Sequence, residues 1–144
     1  MSDSDLIKLY SGRILELAAA IPHQGRLAAP QGSARKRSPI CGSTVTADVV
    51  LRDGRIAEFA QDVKACALGQ ASAAILGAVA LGRNRAEVMA ARDSLAAMLK
   101  DGAPPPAAPF DGYEVLIPAR DYRNRHASIL LALDALTEAM AQVE

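Results

Sequence analysis

The apolar positions of this chain change period several times, and each change marks an element. From Asp5 to Ala20, Leu6, Leu9, Ile14, Leu17 and Ala18 recur at helical spacing, with Ser4 or Asp5 placed to cap the start and Pro22 to stop it. His23 to Pro39 carries no such period and reads as a long loop, punctuated by Gly25, Pro30, Gly32 and Pro39. From Thr44 to Leu51 the period becomes two. Val45, Ala47, Val49 and Leu51 share one face, and Thr44, Thr46 and Asp48 share the other, as in a half-buried strand. Asp53-Gly54 supplies the positive φ of a two-residue hairpin turn, and Arg55 to Val63 returns as the partner strand. Cys66 to Leu81 is a helix of small residues ended by Gly82. Asn84-Arg85-Ala86-Glu87 predicts a capping box for a helix whose buried stripe is Val88, Ala91, Leu95, Met98 and Leu99. A Pro-rich connector runs from Asp101 to Phe110, and Gly112 to Pro118 adds a short turn or extended piece. A last helix, capped by Asp121 or Asn124, reaches about Val143 and carries His126, Ile129, Leu130, Leu133, Leu136 and Met140 near one face.

These elements make one α/β (α+β) domain over residues 1–144, a small antiparallel sheet packed against helices. Composition agrees. Apolar residues make up 51% of the 144 positions, enough for a substantial core, and aromatics only 3%, so that core is aliphatic and Ala-rich. Sixteen basic residues balance 16 acidic ones, so no net field draws the chain to nucleic acid or a membrane. No apolar run is long enough to span a bilayer. The opening MSDSD is neither a signal peptide nor a transit peptide, which points to a cytoplasmic protein.

Two thiols and one imidazole stand out as chemistry. Cys41 follows Pro39 at the mouth of a strand, Cys66 opens a helix, and His126 lies near the start of the last one. The dipole of that second helix and the nearby Lys64 favour a thiolate at Cys66. A Cys-Cys-His set suits zinc or iron. The same residues also read as small buried hydrophobes and a hydrogen-bonded imidazole, and spacing alone leaves both readings open. No nucleophile elbow or P-loop supports a hydrolase or a nucleotide-binding protein.

At these residues the chain resembles the iron–sulfur cluster assembly scaffold family, of the IscU/SufU/NifU N-terminal type. Pro39-Ile40-Cys41-Gly42-Ser43 is similar to that family's P-x-C-G-D. Lys64-Ala65-Cys66 followed by Ala71-Ser72-Ala73 is similar to G-C-x-x-x-x-A-S-x-S. Pro118-Ala119-Arg120 and then His126-Ala127-Ser128-Ile129-Leu130 is similar to the closing P-x-K/R and H-C-S-I-L. Tyr10 to Leu17 and Pro22 to Leu27 add looser matches. The chain departs from the pattern in three ways. Ser43 stands where the family has Asp, Ala127 where it has a third Cys, and the spacing from Pro118 to His126 is longer by about one helical turn.

The resemblance implies an IscU/NifU-like fold and a scaffold or carrier rather than an enzyme. It implies that Cys41, Cys66 and His126 bind iron or a labile [2Fe–2S] cluster, with zinc the alternative; Cys41, placed on a loop, is the expected persulfide acceptor. The fourth position is left to water, a second subunit in a homodimer, a partner or His23. The implied partners are a cysteine desulfurase, with Arg26, Arg35, Lys36 and Arg37 as a candidate docking surface, and recipient apo-proteins. Two other classes fit the same residues: a zinc-binding sulfurtransferase accessory, and a degenerate member that binds partners without metal.

Overall fold

A computed structural model describes residues 12–39 and 42–143. The elements are α1 (Gly12–Ala19), β1 (Gly32–Arg37), β2 (Thr44–Arg52), β3 (Arg55–Lys64), α2 (Ala67–Val79), α3 (Arg85–Asp101), a 3-10 run (Phe110–Asp121), a 3-10 turn (Arg123–Arg125) and α4 (His126–Ala141). The part of the expected first helix before Gly12 lies outside the described residues. The strands form one antiparallel sheet in the order β1-β2-β3. The β2–β3 turn is the expected hairpin, with Asp53 at φ 55° and Gly54 at φ 76°. Val45, Ala47, Val49 and Leu51 are buried, as their alternation requires. The α3 stripe is Val88, Ala91, Leu95, Met98 and Leu99, and Asn84 and Glu87 close the expected capping box.

β1 corrects the reading of residues 23–39 as one long loop. Its sequence, GSARKR, offers the core only Gly32 and Ala34, so no apolar alternation announces it. Gly32 is nonetheless required, because a Cβ there would overlap the Ala139 carbonyl oxygen of α4. The piece expected near Gly112–Pro118 is a longer 3-10 run that buries Phe110, Tyr113, Leu116 and Ala119. Neither Asp121 nor Asn124 caps α4. The 3-10 turn feeds directly into the helix, whose N-cap residue is Arg125 with no side-chain cap.

α4 lies at the centre of the fold. It packs on β1, β2, α2 and α3, and its buried residues run nearly all round it: Ser128, Ile129, Leu131, Ala132, Leu133, Ala135, Leu136, Ala139 and Met140. Small residues let the neighbours approach, and α2 buries Gly69, Ala71, Ser72, Ala73 and Ala74. Buried hydroxyls tie the layers: Ser72 Oγ–H donates to the Ile129 carbonyl, and Tyr113 O–H donates to the Ser72 carbonyl at 3.2 Å.

The other face of the sheet is held by a polar anchor. Asp48 sits on the face that its alternation assigns to solvent, yet its side chain is fully buried. Arg26 donates to it from Nε at 2.7 Å and Nη2 at 3.2 Å, Ser33 Oγ–H at 2.6 Å and the Leu27 N–H at 3.0 Å. Burial alone would raise its carboxyl, but the hydrogen bonds from Arg26, Ser33 and Leu27 outweigh that and hold it below the ordinary carboxylate range. The segment after α1 is thereby strapped across the strands. Further along, Gln61 N–H donates to the His23 carbonyl at 2.9 Å and Gly25 N–H to the Gln61 carbonyl at 2.8 Å, closing the outer edge of β3.

Two outcomes follow from this packing. Gly32→Ala should destabilise the fold by about 2 kcal/mol, as overpacking against backbone does, read by urea denaturation. Asp48→Asn should cost about 2 kcal/mol at pH 7, the worth of hydrogen bonds to a charged group. A depressed native pKa contributes stability above the unfolded carboxylate value of about 3.9 and loses it as pH falls through the native one. Denaturation curves should therefore show the gap between wild type and Asp48→Asn closing below about pH 4.

Candidate functional site

The three segments that carry the candidate ligands meet at one end of the sheet. The first follows β1. Ser38 N–H donates to the Ser43 carbonyl at 2.8 Å and Gly42 N–H to the Ser38 carbonyl at 2.9 Å, so the ends of this loop are pinned together. Gly42, at φ 71°, makes the turn that a bulkier residue would resist. Cys41 belongs to this loop but lies outside the described residues. The second segment leaves β3. Cys66 is the N-cap residue of α2, half-buried, with its backbone extended at φ −66° and ψ 169°. Gln70 holds its turn, donating from N–H to the Cys66 carbonyl and from Nε2 to the Ala65 carbonyl, each at 2.9 Å. The third segment is the first turn of α4.

Two buried serines join the three. Ser43 Oγ accepts the Cys66 N–H at 3.3 Å, and Ser128 Oγ–H donates to Ser43 Oγ at 3.5 Å. Gly69 keeps the α2–α4 approach close, since a Cβ there would lie 3.2 Å from the Ser128 carbonyl oxygen and 2.9 Å from the Ala65 Cβ. Position 128 is two residues after His126, so this junction sets where that turn of α4 stands; position 43 follows Cys41 by two in the sequence. Sequence reasoning missed both serines as connectors, because a hydroxyl gives no periodic signal.

The junction does not aim the imidazole, because residues two apart on a helix point about 200° apart. The preceding 3-10 run does. His126 Nε2 lies 2.9 Å from the Arg120 carbonyl oxygen and 3.2 Å from that of Ala119. Carbonyls only accept, so Nε2 carries the proton and the lone pair is on Nδ1. Arg120 is itself tied to α3, its Nε donating to the Met98 carbonyl at 3.1 Å. The longer spacing between Pro118 and His126 is taken up by the 3-10 turns that supply these carbonyls.

His23 is not brought to this end. Its ring packs edge-on against Phe59, 5.7 Å between centroids. Phe59 precedes Cys66 by seven residues, about 20 Å of strand. Among the described residues, no three His, Cys, Asp or Glu side chains converge to hold a metal ion. The four cations expected to form one docking surface are also divided. Arg26 is spent on Asp48, and Lys36 pairs with Glu138 of α4 at 2.7 Å, leaving Arg35 and Arg37 exposed on β1.

The fold and the motif-bearing ends place the chain among solved structures. A nitrogen-fixing NifU-like protein (N-terminal) from Brucella abortus is 42% identical, with a TM-score of 0.93, over 96% of each chain. This chain belongs to the NifU-like N-terminal (IscU/SufU/NifU) family. A protein put forward as the iron–sulfur cluster assembly scaffold of the SUF system of Fervidobacterium islandicum AW-1 shares the fold at 18% identity and a TM-score of 0.81, covering 93% of this chain and 98% of its own. A crystallised hypothetical protein shares it at 24% and 0.82, covering 94% and 98%. No family model and no curated protein matched the chain. Within this NifU-like frame, Ser43 is a buried connector, and Ala127 lies exposed on the first turn of α4. No described helix is long and apolar enough to cross a membrane.

The tautomer is directly measurable. Nitrogen-15 NMR of the metal-free protein should show the neutral form of the His126 ring protonated at Nε2 and bare at Nδ1. The opposite tautomer would mean that the imidazole does not face the Ala119 and Arg120 carbonyls.

Proposed function

We propose that this chain is a scaffold that holds an iron–sulfur centre as cargo through Cys41, Cys66 and His126 and passes it to recipient apo-proteins. The observation that carries this reading is the junction of Ser43, Cys66 and Ser128, which gathers the three motif-bearing segments in a member of the NifU-like family. The donor set fits such cargo. Thiolates and a neutral imidazole are ligands for iron, and mixed Cys/His sets occur on [2Fe–2S] centres. The Ala119 and Arg120 carbonyls would act as outer-shell partners, fixing the His126 ring so that Nδ1 is the coordinating atom. Ser43 and Ala127 supply neither a carboxylate nor a third thiolate, so the fourth position falls to water or another molecule. The chain would work with a cysteine desulfurase as sulfur source and would not turn over a substrate itself.

The test is iron and acid-labile sulfide analysis, with a visible spectrum, on protein purified without oxygen. Wild type should hold iron and sulfide in equal amounts. Cys41→Ala, Cys66→Ala and His126→Ala should each lose at least about tenfold in retained iron, a loss of the size that even outer-shell changes cause. Zinc without sulfide would replace the scaffold by a zinc-binding sulfur-transfer accessory. Absence of metal in wild type would leave a protein that only binds partners.

A further inference from the structure

The two edges of the sheet are treated differently. The outer edge of β3 is closed by the segment Pro22–Gly25. β1 forms the other edge, paired with β2 on one side only. Because Ser38 N–H bonds the Ser43 carbonyl, Ala34 and Lys36 also turn their backbone groups toward β2, and Ser33, Arg35 and Arg37 turn theirs outward. At Ser33 the outward groups are occupied: its N–H donates to Gln142 Oε1 at 3.0 Å, and its carbonyl accepts from Gln142 Nε2 at 2.7 Å. At Arg35 and Arg37 the outward N–H and C=O groups have no partner among the described residues.

The side chains there are also uncommitted. Arg35 and Arg37 lie on the sheet face opposite α4 and make no ion pair among the described residues, whereas the intervening Lys36 turns to Glu138. By register, Arg35 stands beside Thr46, which is flanked in turn by Asp62, and Arg37 stands beside Thr44, which is flanked by Lys64; Asp62 lies one strand further in, and it forms no ion pair with Arg35. Toward α4, a groove of about 370 Å³ opens between the end of β1 with Ser38 and Pro39 on one side and Ala127, Leu130 and Leu131 on the other, and the Arg92–Asp134 ion pair also lines it.

An open edge with cations is poorly suited to a second copy of this chain. Antiparallel self-pairing centred on Lys36 would set Arg35 opposite Arg37, and like charges directly opposite repel. The same edge is complementary to carboxylates. We propose that the β1 edge from Arg35 to Arg37 docks an extended acidic–apolar–acidic segment of a protein partner, added as a fourth strand. Its two acidic side chains, about 7 Å apart on one face of a strand, would lie opposite Arg35 and Arg37. The apolar residue between them would point to the other face, into the groove beside Leu130 and Leu131. Gln142 ends the ladder at Ser33, so the added pairing is short. The site stands beside the proposed cargo centre but needs no metal.

The test titrates the full nitrogen-15-labelled chain, metal-free, with the acetylated and amidated peptide Thr-Glu-Leu-Glu-Thr. The Arg35 and Arg37 amides should shift saturably and gain protection from hydrogen exchange. Arg35→Glu with Arg37→Glu should weaken binding by about fivefold or more, the effect of reversing two cross-strand pairs. An unchanged spectrum away from β1 would show that this variant is folded. A peptide N-methylated at alternate residues should bind much more weakly, because it cannot complete the ladder. Equal binding of the methylated peptide, shifts centred elsewhere, or no loss on charge reversal would overturn the proposal. So would a dimer by sedimentation that disappears in the Arg35→Glu/Arg37→Glu variant, or a thymidine oligonucleotide binding the same residues more tightly than the peptide.

Discussion

The fold depends on how closely α4 can approach its neighbours. It is buried nearly all round, so sheet, α2 and α3 all define themselves against it. Two glycines make the approach possible. At Gly32 the strand backbone meets the helix carbonyl of Ala139, and at Gly69 the α2 backbone meets that of Ser128. The gain is dense packing without aromatic bulk, in which dispersion accumulates over many short contacts. The cost is low tolerance, because a Cβ at either glycine must displace backbone or a packed neighbour rather than the tip of a flexible side chain.

That seating also sets the chemistry. The first turn of α4 brings Ser128 against Ser43, which accepts from the Cys66 backbone, and the 3-10 run ahead of α4 presents two carbonyls to His126. Cys66 and His126 are therefore held by neutral hydroxyls and main-chain groups, and the frame around them is independent of charged side chains.

Charge has a separate role on the far face of the sheet. Asp48 is a buried carboxylate, tolerated because Arg26, Ser33 and the Leu27 N–H all donate to it. It takes Arg26 out of the basic surface, as Glu138 takes Lys36, and what is left is a short cationic edge at Arg35 and Arg37. One edge of the sheet is covered by its own chain and the other is guarded mainly by charge, a common way of keeping an open strand from self-pairing.

Periodicity and turn chemistry made the hairpin, the α3 capping box and the α3 stripe legible in the sequence, because each is decided by residues near one another in the chain. The motif residues around Cys41, Cys66 and His126 likewise point to the family from the sequence alone. β1 was not legible, because its core-facing positions are Gly32 and Ala34 and its signal is a close backbone contact with a helix more than 100 residues later. The burial of Asp48 was hidden for a related reason: alternation assigns a face, but whether a loop covers that face is settled by Arg26 and Leu27 arriving from elsewhere. The serine junction and the His126 tautomer belong to the same class. A hydroxyl or an imidazole does not carry its partner in its own identity. Only the tertiary structure decides which carbonyl or N–H it meets.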